Sequence, residues 1–316
     1  MNFFKPILFL FIFSTLFSDY GGGYPGAILR TATNAREVSL SNSLVSAYNT
    51  GFNAFTNPSL ISHGKNIEIS SSLFSLPSNI NMQIFSISRN LPPNAGAGIS
   101  IVRLGTNDLI GLNSNEEYTG SLSHSDSYVM MSFGLHFSDY LSLGINGKAL
   151  FQDSSTSNTE DISTKGTSVD LGLFSSPVEN INLGLKIDNI FGKYNLDESS
   201  DIPRRIIFGL SYFLNDNIKT FFQHELIDIY DKYLTHRTSF GFEYKLNYNF
   251  PIHLRSGFKQ NRWAIINNNV KNNLYVFSSG FGVEFKVADK TNMNLDYGII
   301  FNSIGISNVI SLCVEL

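Results

Sequence analysis

From position 66 onward, apolar and polar side chains alternate with a period of two and almost no helical interruption, the signature of half-buried β-strands. Over 140–152, Leu141, Leu143, Ile145, Ala149 and Phe151 fall on one face, while Ser142, Gly144, Asn146, Lys148 and Gln152 fall on the other. Leu150 is the exception. Over 235–246, Thr238, Phe240, Phe242, Tyr244 and Leu246 oppose Arg237, Ser239, Gly241, Glu243 and Lys245. The stretch 275–285 and the closing 308–316 repeat the split, the latter with Ile310, Leu312, Val314 and Leu316 against Ser311, Cys313 and Glu315. A face bearing lysine, arginine and glutamate is hard to bury in a soluble core. A membrane barrel needs it, because each strand shows one side to lipid and the other to a polar interior.

Fourteen such segments are predicted, with cores at 66–74, 80–90, 95–104, 127–138, 140–153, 165–175, 180–190, 204–214, 217–230, 234–247, 252–260, 274–286, 291–300 and 307–316. Connections at 91–94, 139, 176–179, 215–216, 248–251 and 287–290 are short. Between them lie the long polar stretches 105–126, 154–164, 191–203 and 261–273 and the briefer 231–233 and 301–306. This alternation predicts an all-β chain forming a single transmembrane antiparallel β-barrel of about fourteen strands, with both chain ends on the periplasmic side. Hydrocarbon tolerates no open sheet edge, so the last strand is expected to pair with the first. Tyr128, Tyr140, Tyr212, Tyr244 and Tyr275 lie near strand ends, where aromatic girdles belong. Ordinary tyrosine usage in strands accounts for any one of them equally well.

The first 65 residues do not follow the strand pattern. Lys5 followed by the apolar run 6–17 reads as a secretory signal over residues 1–18, cut near Ser18, and is too short to span a bilayer comfortably. Leu16 is large for its place before the cut, which leaves a retained anchor as the alternative. Residues 19–65 are expected to fold into the lumen as a plug, and residues 66–316 to form the barrel. In the plug, Val38, Leu40, Leu44, Val45, Phe52 and Phe55 are mixed with Ser, Asn, Thr and Gly, and neither a strand nor a helix is convincing. A plain soluble linker is the other reading. Asn57-Pro58 is expected to end the segment, since proline lacks a backbone donor and restricts its predecessor.

Composition agrees without deciding. Charged residues make up 15% and aromatics 13% of the 316 residues, and mean hydropathy is near zero, numbers that a secreted soluble β protein also reaches. A net charge of −4 with no Lys/Arg cluster argues against a nucleic-acid partner. Cys313 is the sole cysteine, which excludes an internal disulfide and a thiolate metal site.

Catalytic and cofactor chemistry find little footing. The histidines at 63, 124, 136, 224, 236 and 253 show no metal-ligand spacing, and His224 and Glu225 point to opposite faces of a strand. His124-Ser125-Asp126-Ser127 holds the residue types of a hydrolase triad, but neighbours in a loop do not set a base against a nucleophile. No glycine-rich stretch is followed by a helix, so no phosphate loop is expected. Glycines in the strands suit a bending wall or close approach of the plug. Neither a cofactor nor a metal is expected. The better candidates are the charges on the polar phase: Lys148, Lys186, Asp188, Arg237, Glu243, Lys245, Arg255 and Lys259, with His253 nearby. They either guide an anionic head group and hold the plug, or simply pair with one another to fill a polar interior. Arg36 is the plug residue best suited to join them, by a two-point contact with a carboxylate such as Glu243 or Asp188.

The order of export signal, Ala35-Arg36, Asn57-Pro58-Ser59 and strands such as 141–150 (LSLGINGKAL) and 181–192 (INLGLKIDNIFG) resembles the PorV/PorQ family of outer-membrane proteins, itself related in fold to long-chain fatty-acid transporters. The resemblance covers the whole mature chain. It implies a fourteen-stranded outer-membrane barrel with its N-terminal segment in the lumen, in contact with outer-membrane lipid. Two roles follow from it. One is an accessory component of type IX protein secretion with secretion-system proteins as partners, which is the expectation preferred at this point. The alternative is a passive channel for hydrophobic small molecules such as fatty acids. A lumen sealed at both ends favours the first. An apolar path beside the plug, for which Phe52, Phe55 and Leu60 are suited, favours the second.

Overall fold

The computed structural model describes residues 25–64, 66–112, 118–138, 140–156, 162–195, 201–229, 233–264, 271–288, 291–302 and 305–316. The expected signal at 1–18 and the asparagine run at 267–269 lie outside them.

The strands are β1 Ile67–Leu76, β2 Ile80–Leu91, β3 Ala95–Leu112, β4 Tyr118–Ser138, β5 Leu141–Thr156, β6 Ile162–Val178 and β7 Ile181–Asp188. They continue with the two-residue β8 Lys193–Tyr194, then β9 Arg205–Phe213, β10 Ile218–Ile229, β11 Tyr233–Asn247, β12 Pro251–Ala264, β13 Lys271–Ala288, β14 Thr291–Asn302 and β15 Gly305–Glu315. Each pairs antiparallel with the next, except that β7 pairs with β9, and β8 continues along β6 at Gly166 and Thr167 beyond the point where β7 ends. The ring is sealed by β1 and β15, in register from Glu68 opposite Glu315 to Ser75 opposite Asn308. Setting the β8 stub aside, this is a closed antiparallel barrel of fourteen strands, the form that leaves no backbone group unpaired in hydrocarbon.

Alternation along each strand sorts the side chains. On β11, Phe240 and Phe242 are exposed on the outside, and Ser239, Gly241 and Glu243 are buried inside. Closing strand β15 exposes Ile310 and Leu312 and buries Ser311, Cys313 and Glu315. So much apolar surface on the exterior is stable only against lipid. Tyr140, Tyr212, Tyr244 and Tyr275 are on that exterior. Tyr128 is not: it shares the phase of Asp126 and Met130, and its ring is buried in the lumen.

The long connections are shorter than the pattern suggested. Strands β3 and β4 run on to residues 112 and 118, so the expected loop 105–126 shrinks to 113–117. The expected loops 154–164 and 261–273 shrink likewise, to 157–161 and 265–270. The apolar alternation stops there while the hydrogen-bonded ladder continues, through register shifts at Thr106/Leu109 and Gly111/Leu112. The connection 189–204 keeps its length.

Residues 25–64 lie inside the barrel as a string of short turns. They comprise a 3-10 turn at Ala27–Arg30, α1 Ala35–Ser39, α2 Asn53–Thr56 and a second 3-10 turn at Pro58–His63. Asn34 caps α1 by accepting from the Glu37 amide at 2.9 Å. Asn57-Pro58 does not end the segment but starts its last turn: the Asn57 side chain accepts from the Ser59 amide, and Pro58 takes the first position, where no donor is needed. Helices of four and five residues cannot persist alone. The wall holds them.

It does so through a belt of glycines. Gly96, Gly134, Gly144 and Gly172 are register neighbours on β3 to β6, as are Gly184 and Gly209, Gly241 and Gly257, and Gly280 and Gly298 farther round. A Cβ on Gly144 or Gly172 would collide with Pro58, one on Gly184 with the Val45 carbonyl, and one on Gly257 would come within 2.5 Å of the Leu40 carbonyl carbon. The plug backbone therefore lies directly on the wall. The plug also straddles the closing seam. The Ala35 amide donates to Ser311 Oγ on β15 at 2.7 Å, the Gly51 amide to Glu68 on β1 at 2.8 Å, and Ser70 Oγ on β1 to the Gly51 carbonyl at 2.7 Å.

Candidate functional site

The lumen and its plug form the candidate site, and the sequence-derived residues there fall into separate groups. At mid-height, Lys148 meets Asp170 at 2.6 Å and Lys186 meets Asp188 at 2.9 Å. Arg205 bonds Asp188 and lies 3.6 Å from Glu225. Strand register explains the set, because Asp188 and Arg205 are direct partners across β7–β9, and Lys186 is two residues from Asp188 on the same face. Three cations and three carboxylates balance, as buried charge requires. The wall also reaches the plug backbone. Lys186 donates to the Phe55 carbonyl at 2.6 Å and Asn146 to Ala54 at 2.9 Å, satisfying carbonyls that α2 leaves open, and Arg205 donates to Leu29 of the first 3-10 turn at 3.2 Å. From the plug side Glu37 enters this group, its carboxylate accepting from the Thr33 amide at 2.8 Å and hydroxyl at 2.9 Å. Burial pushes its pKa above the ordinary 4.5, against the pull of those bonds and of Lys186 and Arg205.

Toward the rim with the short turns, Arg36 donates to both oxygens of Glu243, at 2.9 and 3.1 Å, and to the Tyr48 carbonyl. Arg255 shares Glu243 at 2.7 Å and bonds Asp296, while His253 meets Glu284 at 2.8 Å. These side chains, with Lys219, line a cavity of about 170 Å3. Asn57 belongs to neither group. Its amide donates to the Val45 and Leu173 carbonyls at 3.0 Å each, and its oxygen accepts from Ser59, so it knots the plug to β6 just before Pro58. Arg237 stands opposite Glu225 across β10–β11, at the edge of the mid-height group, and Lys259 opposite Ser239. Sequence reasoning missed Asp170, Arg205, Glu225 and Asp296. The signal was present, since each shares the polar phase of its strand.

A third zone is apolar. Ile28, Leu29, Phe52 and Phe55 of the plug pack against Phe74, Met82, Ile84, Val102, Met130 and Leu150 of the wall, with Tyr194 and Ile202 from the 189–204 connection. Leu150, the exception on its strand, finds its reason here. Leu60 is fully buried but stands outside this cluster. The cavity between the apolar zone and the mid-height charges is about 30 Å3, room for little more than a water, whereas a cavity of about 150 Å3 is what accepts benzene.

Two histidine groups bear on earlier expectations. Tyr48 Oη lies 2.9 Å from His63 Nδ1, His63 Nε2 lies 2.6 Å from Ser142 Oγ, and His136 Nδ1 lies 2.9 Å from the same hydroxyl. Burial, with the neighbouring His136, pushes His63 down to about 4, so it is neutral at pH 7. The 124–127 stretch is strand, not loop. His124 contacts Ser154 of β5 at 2.8 Å and Asp126 on its own strand at 3.4 Å. Ser154 sits in the β4–β5–β6 ladder, whose amides are committed to strand pairing, so a developing oxyanion would find no donors there.

No family model matches this chain, and no curated protein matches it. Solved structures do. CymD, a monoaromatic hydrocarbon channel, aligns at 10% identity over 89% of this chain and 96% of its own, with a TM-score of 0.63. A FadL homologue of Pseudomonas aeruginosa aligns at 12% identity over 89% and 97%, with a TM-score of 0.64. The toluene transporter TodX of Pseudomonas putida aligns at 13% identity over 89% and 96%, with a TM-score of 0.63. At such identities the likeness is one of fold: a closed fourteen-stranded antiparallel β-barrel like those of these transporters. The closer resemblance to the PorV/PorQ family, and with it the secretion role and secretion-system partners, finds no support.

Proposed function

We propose that this chain is an outer-membrane channel for small hydrophobic molecules, with residues 19–65 as its plug, residues 66–316 as its wall and residues 1–18 as its export signal. The observation that carries the reading is the apolar zone inside a barrel whose interior is ordinarily polar: Phe74, Met82, Ile84, Val102, Met130 and Leu150 face inward and are covered by apolar plug residues, Ile28, Leu29, Phe52 and Phe55 among them. An interior that only had to hold a plug could do so with the ion pairs alone. A greasy lining suits a greasy traveller. The fold neighbours, described as hydrocarbon and toluene transporters, support the same reading. With about 30 Å3 free beside the zone, passage requires the plug to yield its place. Arg36, Asn57, Pro58, Lys148, Lys186, Asp188, Glu243 and Arg255 then act as plug anchors, and Arg237 and Lys259 as lumen charges around them.

The test is uptake of labelled toluene and labelled laurate by bacteria that lack their own hydrophobic-compound channels and express this chain. Uptake above the empty-vector level is expected for at least one of them, and Ile84→Arg is expected to abolish it while the barrel still shows heat-modifiable gel mobility. Uptake equal to the vector control for both compounds sinks the proposal.

A further inference from the structure

We infer that His63 of the plug and His136 of the wall form a binding site for a transition-metal dication of the Zn2+ type, which would fasten the last turn of the plug to the barrel. Three atoms converge at this point. His63 Nε2 and His136 Nδ1 are 3.2 Å apart, and Ser142 Oγ lies 2.6 Å from the first and 2.9 Å from the second. Nitrogen ligands at 2.0–2.1 Å from one zinc ion stand about 2.8–3.4 Å from each other at octahedral to tetrahedral angles. The imidazole pair already has that spacing.

The surroundings fit as well. Metal-bound imidazoles characteristically have their second nitrogen tied down, and His63 Nδ1 is held by the Tyr48 hydroxyl at 2.9 Å. The two rings meet edge to face, with centroids 4.5 Å apart, and the Phe174 ring closes one side of His63. Among the described residues no group of three His, Cys, Asp or Glu side chains converges, so the site offers two imidazoles, with the serine hydroxyl and water left to complete the shell. Such a set suits borderline metals over Ca2+ or Mg2+, which want oxygen ligands. Spacing in the sequence gave no hint of it, because 73 residues separate the two histidines.

The experiment is calorimetric titration of ZnCl2 into the full, untagged chain in detergent micelles at pH 7.5, paired with hydrogen exchange across residues 58–64. One Zn2+ per chain in the micromolar range is expected, weakened at least tenfold by His63→Asn and by His136→Asn, both of which should keep the heat-modifiable mobility of a closed barrel. Amides of 58–64 should exchange more slowly with Zn2+ than with EDTA in the parent chain and equally in the variants. Absence of Zn2+ binding up to millimolar concentration overturns the inference and leaves a hydrogen-bonded pair. Binding undiminished in both variants also overturns it, and would point to the His224–His236 pair elsewhere on the wall, whose rings lie 5.7 Å apart. Binding that leaves exchange at 58–64 unchanged overturns the fastening.

Discussion

Glu243 shows how single side chains hold the plug. Its side chain is only 2% exposed, and it serves Arg36 from the plug and Arg255 from the wall together. Removing it takes a shared carboxylate from two guanidinium groups, leaving Arg255 with Asp296 and Arg36 with the Tyr48 carbonyl, so Glu243→Ala is expected to cost about 3–5 kcal/mol. Arg36→Ala leaves Glu243 paired with Arg255, and the loss is expected to be about 1.5–3 kcal/mol, the worth of a hydrogen bond to a charged group. Urea titration in detergent, followed by protease cleavage within 25–64, checks the order of the two. Glu37 behaves differently. Its folded pKa lies above the unfolded value, so its stabilising contribution is complete below about pH 4.5 and is lost as pH rises through the folded value. Docking of the parent plug should therefore weaken with rising pH relative to Glu37→Gln, which has no proton to lose, and comparing their cleavage rates between pH 4 and pH 8 measures the difference. The Arg36 contact was legible because an arginine in a segment placed inside the lumen needs a carboxylate and Glu243 stood on the lumen phase of its strand. Tyr128 was misplaced because nearness to a strand end was weighed without its phase, which it shares with Asp126 and Met130.

Strands and plug turns meet along the glycine belt, and its effect is testable element by element. Gly144→Val should push Pro58 and Ser59 off β5, overpacking that costs about 1–3 kcal/mol or more. Gly147→Ala, three residues along the same strand with nothing within 4 Å of the added carbon, should change nothing. Protease sensitivity of 25–64 is expected to rise in the first variant alone, with gel mobility unaltered in both. At this scale the sequence revealed the wall well: the number of strands, their phases and the closing pair follow from alternation. It placed the strand ends poorly, since β3 to β6, β12 and β13 run on past the last alternating residues, where nothing in the apolar pattern marks their continuation. The plug turns were invisible because segments of four to six residues draw their stability from the surface beneath them.

For the molecule as a whole, the lumen divides into a greasy zone and two salt-bridged ones, and the plug touches all three. A hydrophobic solute therefore cannot cross while Phe52 and Phe55 stay where they are, and the anchors that hold them are ionic or hydrogen-bonded, which water can replace. Two places where the chain departs from a plain polar bore, the apolar zone and the histidine pair, lie against the plug. The seam adds a consequence for how the protein is made. Because Ala35 leans on the last stave and Gly51 on the first, a cylinder that has not yet zipped shut offers its stopper only half a seat. Correct seating thus certifies that assembly is finished, and an unzipped intermediate would betray itself to proteases by a dangling N-terminal tail.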